Sequence, residues 1–235
     1  PYLKAKVKEA LDEREVDDVK EFDAIIDSIK ELALEVIKEN PMLPSEASFA
    51  IKNIQSNSFL VNFISSDIHD GVLHIINDNK CNFLRSYKHE ITVEVHYTGL
   101  SYIEFEGTKP LICQNQITGN NLSLIIRDGA GLVDLDMAYN NVNVTVTNGW
   151  GNFDFSGTTG TLIMNIRSNG FGSTYDLNVS NSMDVISNTA GLLQLNTEGA
   201  DCNIQLQSTG DVWYIGTPNS LNTSQLGDGE LIDKN

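Results

Sequence analysis

Apolar positions fall three and four apart in the first part of the chain and two apart in the rest. In "EVDDVKEFDAIIDSIKELALEVIKENP" (15–41), Phe22, Ile25, Ile26, Ile29, Leu32, Ala33, Val36 and Ile37 line one side of a 3.6-residue period. This predicts an amphipathic helix. Asp17 and Asp18 stand at its positive end, and Asn40-Pro41 stops it. Ser45 is placed to cap a short second helix carrying Phe49 and Ile54, and Ser56 a third carrying Phe59, Leu60, Phe63 and Ile64. Helices are therefore expected within roughly 15–66. The period changes at Val72-Leu73-His74-Ile75-Ile76, a β-branched run ending in the turn residues Asn77-Asp78-Asn79. Strands are expected from there to about residue 232.

The β part repeats. "GAGLVDLDMAYNN", "GWGNFDFSGTTGT", "GFGSTYDLNVS", "AGLLQLNTEGA", "TGDVWYIGTPN" and "GDGELID" align on Gly131, Gly151, Gly172, Gly191, Gly210 and Gly229, at intervals of 20, 21, 19, 19 and 19 residues. A fixed period of this length is the mark of a solenoid. Each unit has a glycine turn followed by alternating pairs such as Val133/Leu135, Phe153/Phe155, Leu193/Leu195 and Val212/Tyr214. About twenty residues rich in Gly, Asn, Ser and Thr suit one coil of a β-helix, with short strands, tight bends and a rise of roughly 4.8 Å per coil. The fold class is therefore mainly β, a single-stranded β-helix, right-handed by fold-level expectation, with a small N-terminal α-helical segment. The recurring glycine implies a positive φ or close packing at each corner.

Charge narrows the function. The 235 residues carry a formal charge of −17, and from Leu111 to Asp233 the only basic residues are Arg127 and Arg167. That balance argues against nucleic acid, whose phosphates must be neutralised by Lys and Arg, and against an anionic membrane surface. No apolar run of 18 residues offers a membrane span. The chain starts at Pro1 without Met, which predicts that the native N-terminus lies upstream. Cys81, Cys113 and Cys202 are scattered, no CxxC or Cys/His spacing suits zinc, and buried free thiols are expected. No motif calls for a cofactor.

Two resemblances cover the chain. "PYLKAKV", the acidic helix and "NPMLPSEASFAIKNIQSNSFLVNFISS" resemble part of the N-terminal domain of ATP-dependent Lon proteases, over about residues 1–67. That resemblance implies a role in substrate recognition and hexamer assembly. The GxxxxGK[ST] phosphate loop needed for Lon's energy coupling is absent from the sequence. From about Asp70 to Ile232, "DGVLHI", "ITVEVHYTGLSYIEFEG" and "GDVWYIGTPNS" resemble the GIN domain, the head domain of auto-transporter adhesins common in Bacteroidetes. The resemblance implies a secreted or surface β-helix and transfers no catalytic residues. GIN domains ordinarily begin with a further strand pair before "DGVLHI", a place here occupied by Lon-like sequence. Two domains are thus expected, 1–67 and 70–235, in an apparent chimera.

Candidate chemistry is sparse. Asp134, Asp154 and Asp176 fall at matching repeat positions, so stacked coils would bring their carboxylates about 5 Å apart. Such a row reads as a calcium ladder, as the paired acids of a polysaccharide-cleaving enzyme, or as a solvated face that blocks unwanted sheet pairing. Trp150, Phe171, Tyr175, Trp213 and Tyr214 could form an aromatic platform for sugars, or stack inside the coils; Trp150 and Phe171 lie between glycines. Lys80, Arg85, His89 and His96 make a cationic island beside Glu90 and Glu94.

The expected function is a non-enzymatic envelope or surface β-helix, adhesin-like, that binds a glycan or protein. Its expected location is periplasmic, outer-membrane-associated or extracellular. The alternatives are a substrate-recognition or assembly fragment of a Lon-type protease, which would set a cytoplasmic address, and a carbohydrate-active β-helix enzyme. Self-association through the solenoid end is a further expectation. So is packing of the apolar helix stripe on that end near Val72–Ile76, or against another copy.

Overall fold

The computed structural model describes residues 50–55, 64–77 and 92–235. The long helix expected over 15–41, and Phe49, Phe59, Leu60 and Phe63 of the two short ones, lie outside the described residues. So do Cys81, Lys80, Arg85 and His89. Every regular element in the described part is a strand. The chain forms two units, Pro1–Gly99 and Leu100–Asn235.

In the first unit the strands are β1 (Ala50–Gln55), β2 (Ile64–His69), β3 (Val72–Asn77) and β4 (Thr92–His96). The short helices expected around Ile54 and Ile64 are therefore replaced by strands. β2 and β3 form an antiparallel hairpin, in register from Ile64↔Asn77 to His69↔Val72. Its two-residue turn is Asp70-Gly71, with φ of 50° and 77°. Two positive central angles make the turn twist with the strands, and Asp-Gly is the pair that tolerates them. The place ahead of "GVLHI", expected to hold Lon-like helices, thus holds the two strands β1 and β2.

β1 pairs antiparallel with β4, and the register slips between Ile51 and Asn53. Ile51 stands opposite Val95 and Ile54 opposite Val93. A bulge lets residues three apart take up positions two apart on the partner strand. That is why the spacing of Ile51 and Ile54 imitates a helix. Residues 50–55 lie in the stretch read above as Lon-like and 92–96 in the one read as GIN-like, so this pairing runs across the boundary expected at 67–70.

The second unit is a parallel β-helix. Its strands are β5 (Tyr102–Phe105), β6 (Leu111–Ile112), β7 (Ile117–Arg127), β8 (Leu132–Thr147), β9 (Asn152–Ser168) and β10 (Phe171–Thr189). They continue with β11 (Leu193–Asn196), β12 (Asp201–Leu206), β13 (Val212–Ile215), β14 (Ser220–Gln225) and β15 (Leu231–Asp233). One row of rungs runs β6–β8–β9–β10–β11–β13–β15, and a second runs β5–β7–β8–β9–β10–β12–β14. All these pairings are parallel. β8 to β10 bend from one row into the other and serve both; β7 pairs with β8 on either side of the bends at Asn120 and Asn140.

Alternation fills the interior. Leu122, Leu124, Ile126, Val142, Val144, Val146, Leu162, Met164 and Ile166 are at most 2 % exposed, as are Phe153 and Phe155. The two phenylalanine rings stack at 4.8 Å. Rung β10 accommodates them with small residues: Gly172 is the register partner of Phe153, and a side chain there would meet the Phe153 ring at 2.5 Å. Thr174, two residues on, is fully buried and donates its hydroxyl to the Gln194 carbonyl at 3.3 Å. Large facing small keeps a stacked core at native density.

The pairing also corrects the glycine column. Phe171 pairs with Asn152 and Gly172 with Leu193, so the equivalent of Gly151 and Gly191 is Gly170, two residues before the expected Gly172. None of the column glycines has a positive φ. Close packing is the reason for them: a Cβ at Gly191 would lie 2.3 Å from the Gly170 carbonyl oxygen, and one at Gly210 2.3 Å from that of Gly191.

Candidate binding faces of the solenoid

Side chains that point out of the coils form rows, because the register repeats. In one row Asp134 and Asp154 are direct partners on β8 and β9, as their repeat position predicts. The next residue in that row is Ser173, because the register of β10 shifts between Ser173 and Asp176. Asp176 pairs instead with Ser156, whose partner on the other side is Asp136. The ladder thus reduces to the Asp134/Asp154 pair, with Asp176 in the neighbouring row, where Ser156 separates it from Asp136. Partial burial, then the charges of Asp134 and Asp176, raise the Asp154 carboxyl above its usual range. Asp136 accepts a hydrogen bond from Gln116 at 2.9 Å. Among the described residues no group of three or more His, Cys, Asp or Glu is arranged to hold a metal ion.

The five aromatic candidates separate. Trp150 is 63 % exposed in the Gly149–Gly151 corner, its amide bonded to the Gly129 carbonyl. Phe171 starts β10, half-buried on the outward side, and Tyr175 lies in the β10 register shift. Trp213 is outward on β13, half-buried, with the Lys234 ammonium 4.1 Å above its ring. Tyr214 takes an inward position, in register with the buried Leu195, and bonds to Asp233. Its phenol pKa is raised by burial and by Asp233. The five are thus divided among the corner before β9, strand β10 and strand β13, where Trp213 and Tyr214 face opposite ways.

Other expectations resolve residue by residue. Cys202 is buried and free, its thiol pushed up to about 11 by burial with help from Asp201 and Asp184. Cys113 is half-buried and free, and its sulfur accepts the Asp136 amide at 3.0 Å. Of the cationic island, His96 stands 2.7 Å from Glu94. Arg127, by contrast, is held by Glu104 at 2.6 Å and Glu106 at 3.7 Å. At the last rung Leu221 is 36 % and Leu226 74 % exposed.

What sequence reading missed is the amides. Asn140 donates to Asn120 at 2.6 Å and Asn141 to Asn121 at 2.9 Å, a two-wide ladder at the bend. Gly160 interrupts it, leaving a shallow notch bordered by Asn140, Asn178 and Asn181. A second groove of about 400 Å³ crosses four rungs on the β8–β9–β10–β12 face, around Asn143, Ile163, Asn165, Asp184, Asn203 and Gln205. The signal was the Asn/Gln recurrence in "NVNVT", "MNIRS" and "NIQLQ", visible once the coils are stacked.

Comparisons with known proteins agree with both halves of this picture. Over a short N-terminal stretch the chain is 56 % identical to the Lon protease of Flavobacterium johnsoniae across 72 residues, 31 % of this chain and 9 % of that one. It is 46 % identical to the Lon protease of Karelsulcia muelleri across 69 residues, 29 % of this chain and 8 % of that one. The chain thus spans less than a tenth of the length of these curated relatives. In fold it is similar to the crystal structure of a putative adhesin from Bacteroides fragilis, with a TM-score of 0.63, 23 % identity, and coverage of 74 % of this chain and 78 % of the other. The family described as "Putative auto-transporter adhesin, head GIN domain" matches residues 50–218, taking in β1 and β2 as well as the solenoid. Joined to a short Lon-like stretch at its start, the chain belongs to this GIN head-domain family.

Proposed function

We propose that the protein is a non-enzymatic, adhesin-like domain of the cell envelope or surface that binds a glycan or protein through the outside of its β-helix. The observation that carries this reading is the repetition of outward positions: seven rungs in each row display side chains at a constant spacing, and Trp150 projects from a corner with 63 % of its surface exposed. A rigid repeating surface suits an extended partner, since the binding groups lose little freedom on contact. The family match supports the adhesin character and the extracytoplasmic location. Trp150, Phe171 and Trp213 are the aromatic contacts of this reading, and the Asp134/Asp154 row is a solvated acidic edge.

The test is direct binding of the full chain to glycan arrays and to intact cells, beside Trp150→Ala and Trp213→Ala. Saturable binding weakened by either substitution supports the proposal. Absence of saturable binding to glycans, cells or isolated surface proteins overturns it, as does polysaccharide cleavage that purifies with the protein. A second reading, favoured by the Lon matches, makes the N-terminal stretch a substrate-recognition or assembly fragment. Binding of unfolded model substrates that requires residues 1–49 would support that one.

A further inference from the structure

We propose that the groove on the β8–β9–β10–β12 face is the ligand site and that it takes an uncharged polysaccharide chain lying along the solenoid axis. This rests on the binding reading above and names its site and ligand class.

The groove alternates amide and apolar groups. Asn143, Ile163, Asp184 and Asn203 form one row, and Thr145, Asn165, Ile186 and Gln205 the next. Ile163 is 45 % exposed although its neighbours in both directions are polar. Asn165 accepts from Arg167 Nε at 3.1 Å through Oδ1, so its amide hydrogens are uncommitted in that bond. Gln205 likewise accepts through Oε1 from Gln207 at 3.3 Å. Asn203 donates to Asp184 Oδ1 at 3.1 Å, which keeps its own Oδ1 as an acceptor. Planar donors and acceptors thus interleave around an apolar platform. Sugars present the matching pattern: hydroxyls that donate and accept, around ring faces made of C–H groups.

Charge selects within that class. The chain as a whole carries −17, yet the groove holds a single carboxylate, Asp184, with the Arg167 guanidinium at its edge. Local charge is balanced, so an uncharged polymer meets no repulsion there, while an anionic one is disfavoured by the surrounding field. Four rungs at about 4.8 Å span roughly 14 Å, enough for a linear run of sugar rings.

The experiment uses the full chain in affinity electrophoresis through gels containing dextran, mannan, laminarin or neutral xylan, with alginate as the anionic control. Asn143→Ala, Asn203→Ala and Ile163→Asp are made on the outward face, and Trp150→Ala, which removes an aromatic contact of the broader reading, tells the corner from the groove. Thermal melting checks that each variant is folded. Retardation by at least one neutral polysaccharide, unchanged by salt, is expected. Each asparagine variant should weaken it about fivefold, the worth of one hydrogen bond, and Ile163→Asp should abolish it. Retardation lost only with Trp150→Ala overturns the groove as the site and leaves the binding function standing. Retardation by alginate alone, or by none of the polysaccharides, overturns the inference, and the protein arm of the earlier test then decides the broader reading.

Discussion

Asp154 is the register partner of Asp134 on the neighbouring strand, two carboxylates held side by side by the parallel ladder. Partial burial of Asp154 and the charges of Asp134 and Asp176 make ionisation harder in the folded chain. Its folded pKa therefore lies above its unfolded one. The resulting penalty is fully present above the folded value and disappears below the unfolded value. Asp154→Asn should raise the melting temperature at neutral pH, and the gain should shrink as the pH is lowered through the carboxylate range. A gain that is constant with pH, or a loss at neutral pH, contradicts this account.

Ser187 sits in the core column between Ile166 and Leu206, 1 % exposed, and its hydroxyl has no hydrogen-bond partner among the described residues. A buried, unpaired hydroxyl costs about 1–3 kcal/mol. Ser187→Ala removes that cost with almost no change in volume. Chemical denaturation should show the variant to be more stable by about 1 kcal/mol or more; lower stability would mean that the hydroxyl is satisfied after all.

Gly210 stacks against the rung below so closely that a Cβ would lie 2.3 Å from the Gly191 carbonyl oxygen and 2.6 Å from that of Thr189. Both atoms are backbone, so relief requires the coils to separate. Gly210→Ala should destabilise by about 1–3 kcal/mol. Hydrogen exchange should show the loosening centred on β11 and β13. Unchanged stability would indicate that the rungs can part at little cost.

Cys202 and Cys113 should differ in reactivity. The thiolate is the reacting species, and burial drives the Cys202 pKa to about 11, leaving very little thiolate at neutral pH. In the native protein a thiol-specific reagent should modify Cys113 well before Cys202, and denaturant should make both accessible. Rapid native labelling of Cys202, mapped by mass spectrometry, would place that thiol nearer the solvent than its 1 % exposure allows.

The sequence by itself determined the solenoid. A twenty-residue period with alternating apolar pairs permits few other solutions, because each coil can bury its apolar side only against its neighbours. It also carried the GIN family in literal stretches such as "GDVWYIGTPNS", and a likeness to Lon proteases in "SEASFAIKNI". The Asp70-Gly71 hairpin was legible too, as an Asp-Gly pair before a β-branched run, but the helical spacing of Phe59, Leu60, Phe63 and Ile64 obscured it.

Only the tertiary structure decided the register. One bulge at Ile51/Asn53 turned a helical spacing into a strand, and one shift at Ser173/Asp176 moved Asp176 out of the row of Asp134 and Asp154. It likewise made Gly170, two residues before Gly172, the corner glycine, and sent Tyr214 inward while Trp150 stayed in solvent. The physical reason is common to all of these. Side chains of a strand alternate between faces, so a single extra residue moves everything after it to the other side. Which residues meet across coils twenty apart then depends on where each irregularity falls, and the amide groove of Asn143, Asn165, Asn203 and Gln205 exists only when four such coils are stacked in register.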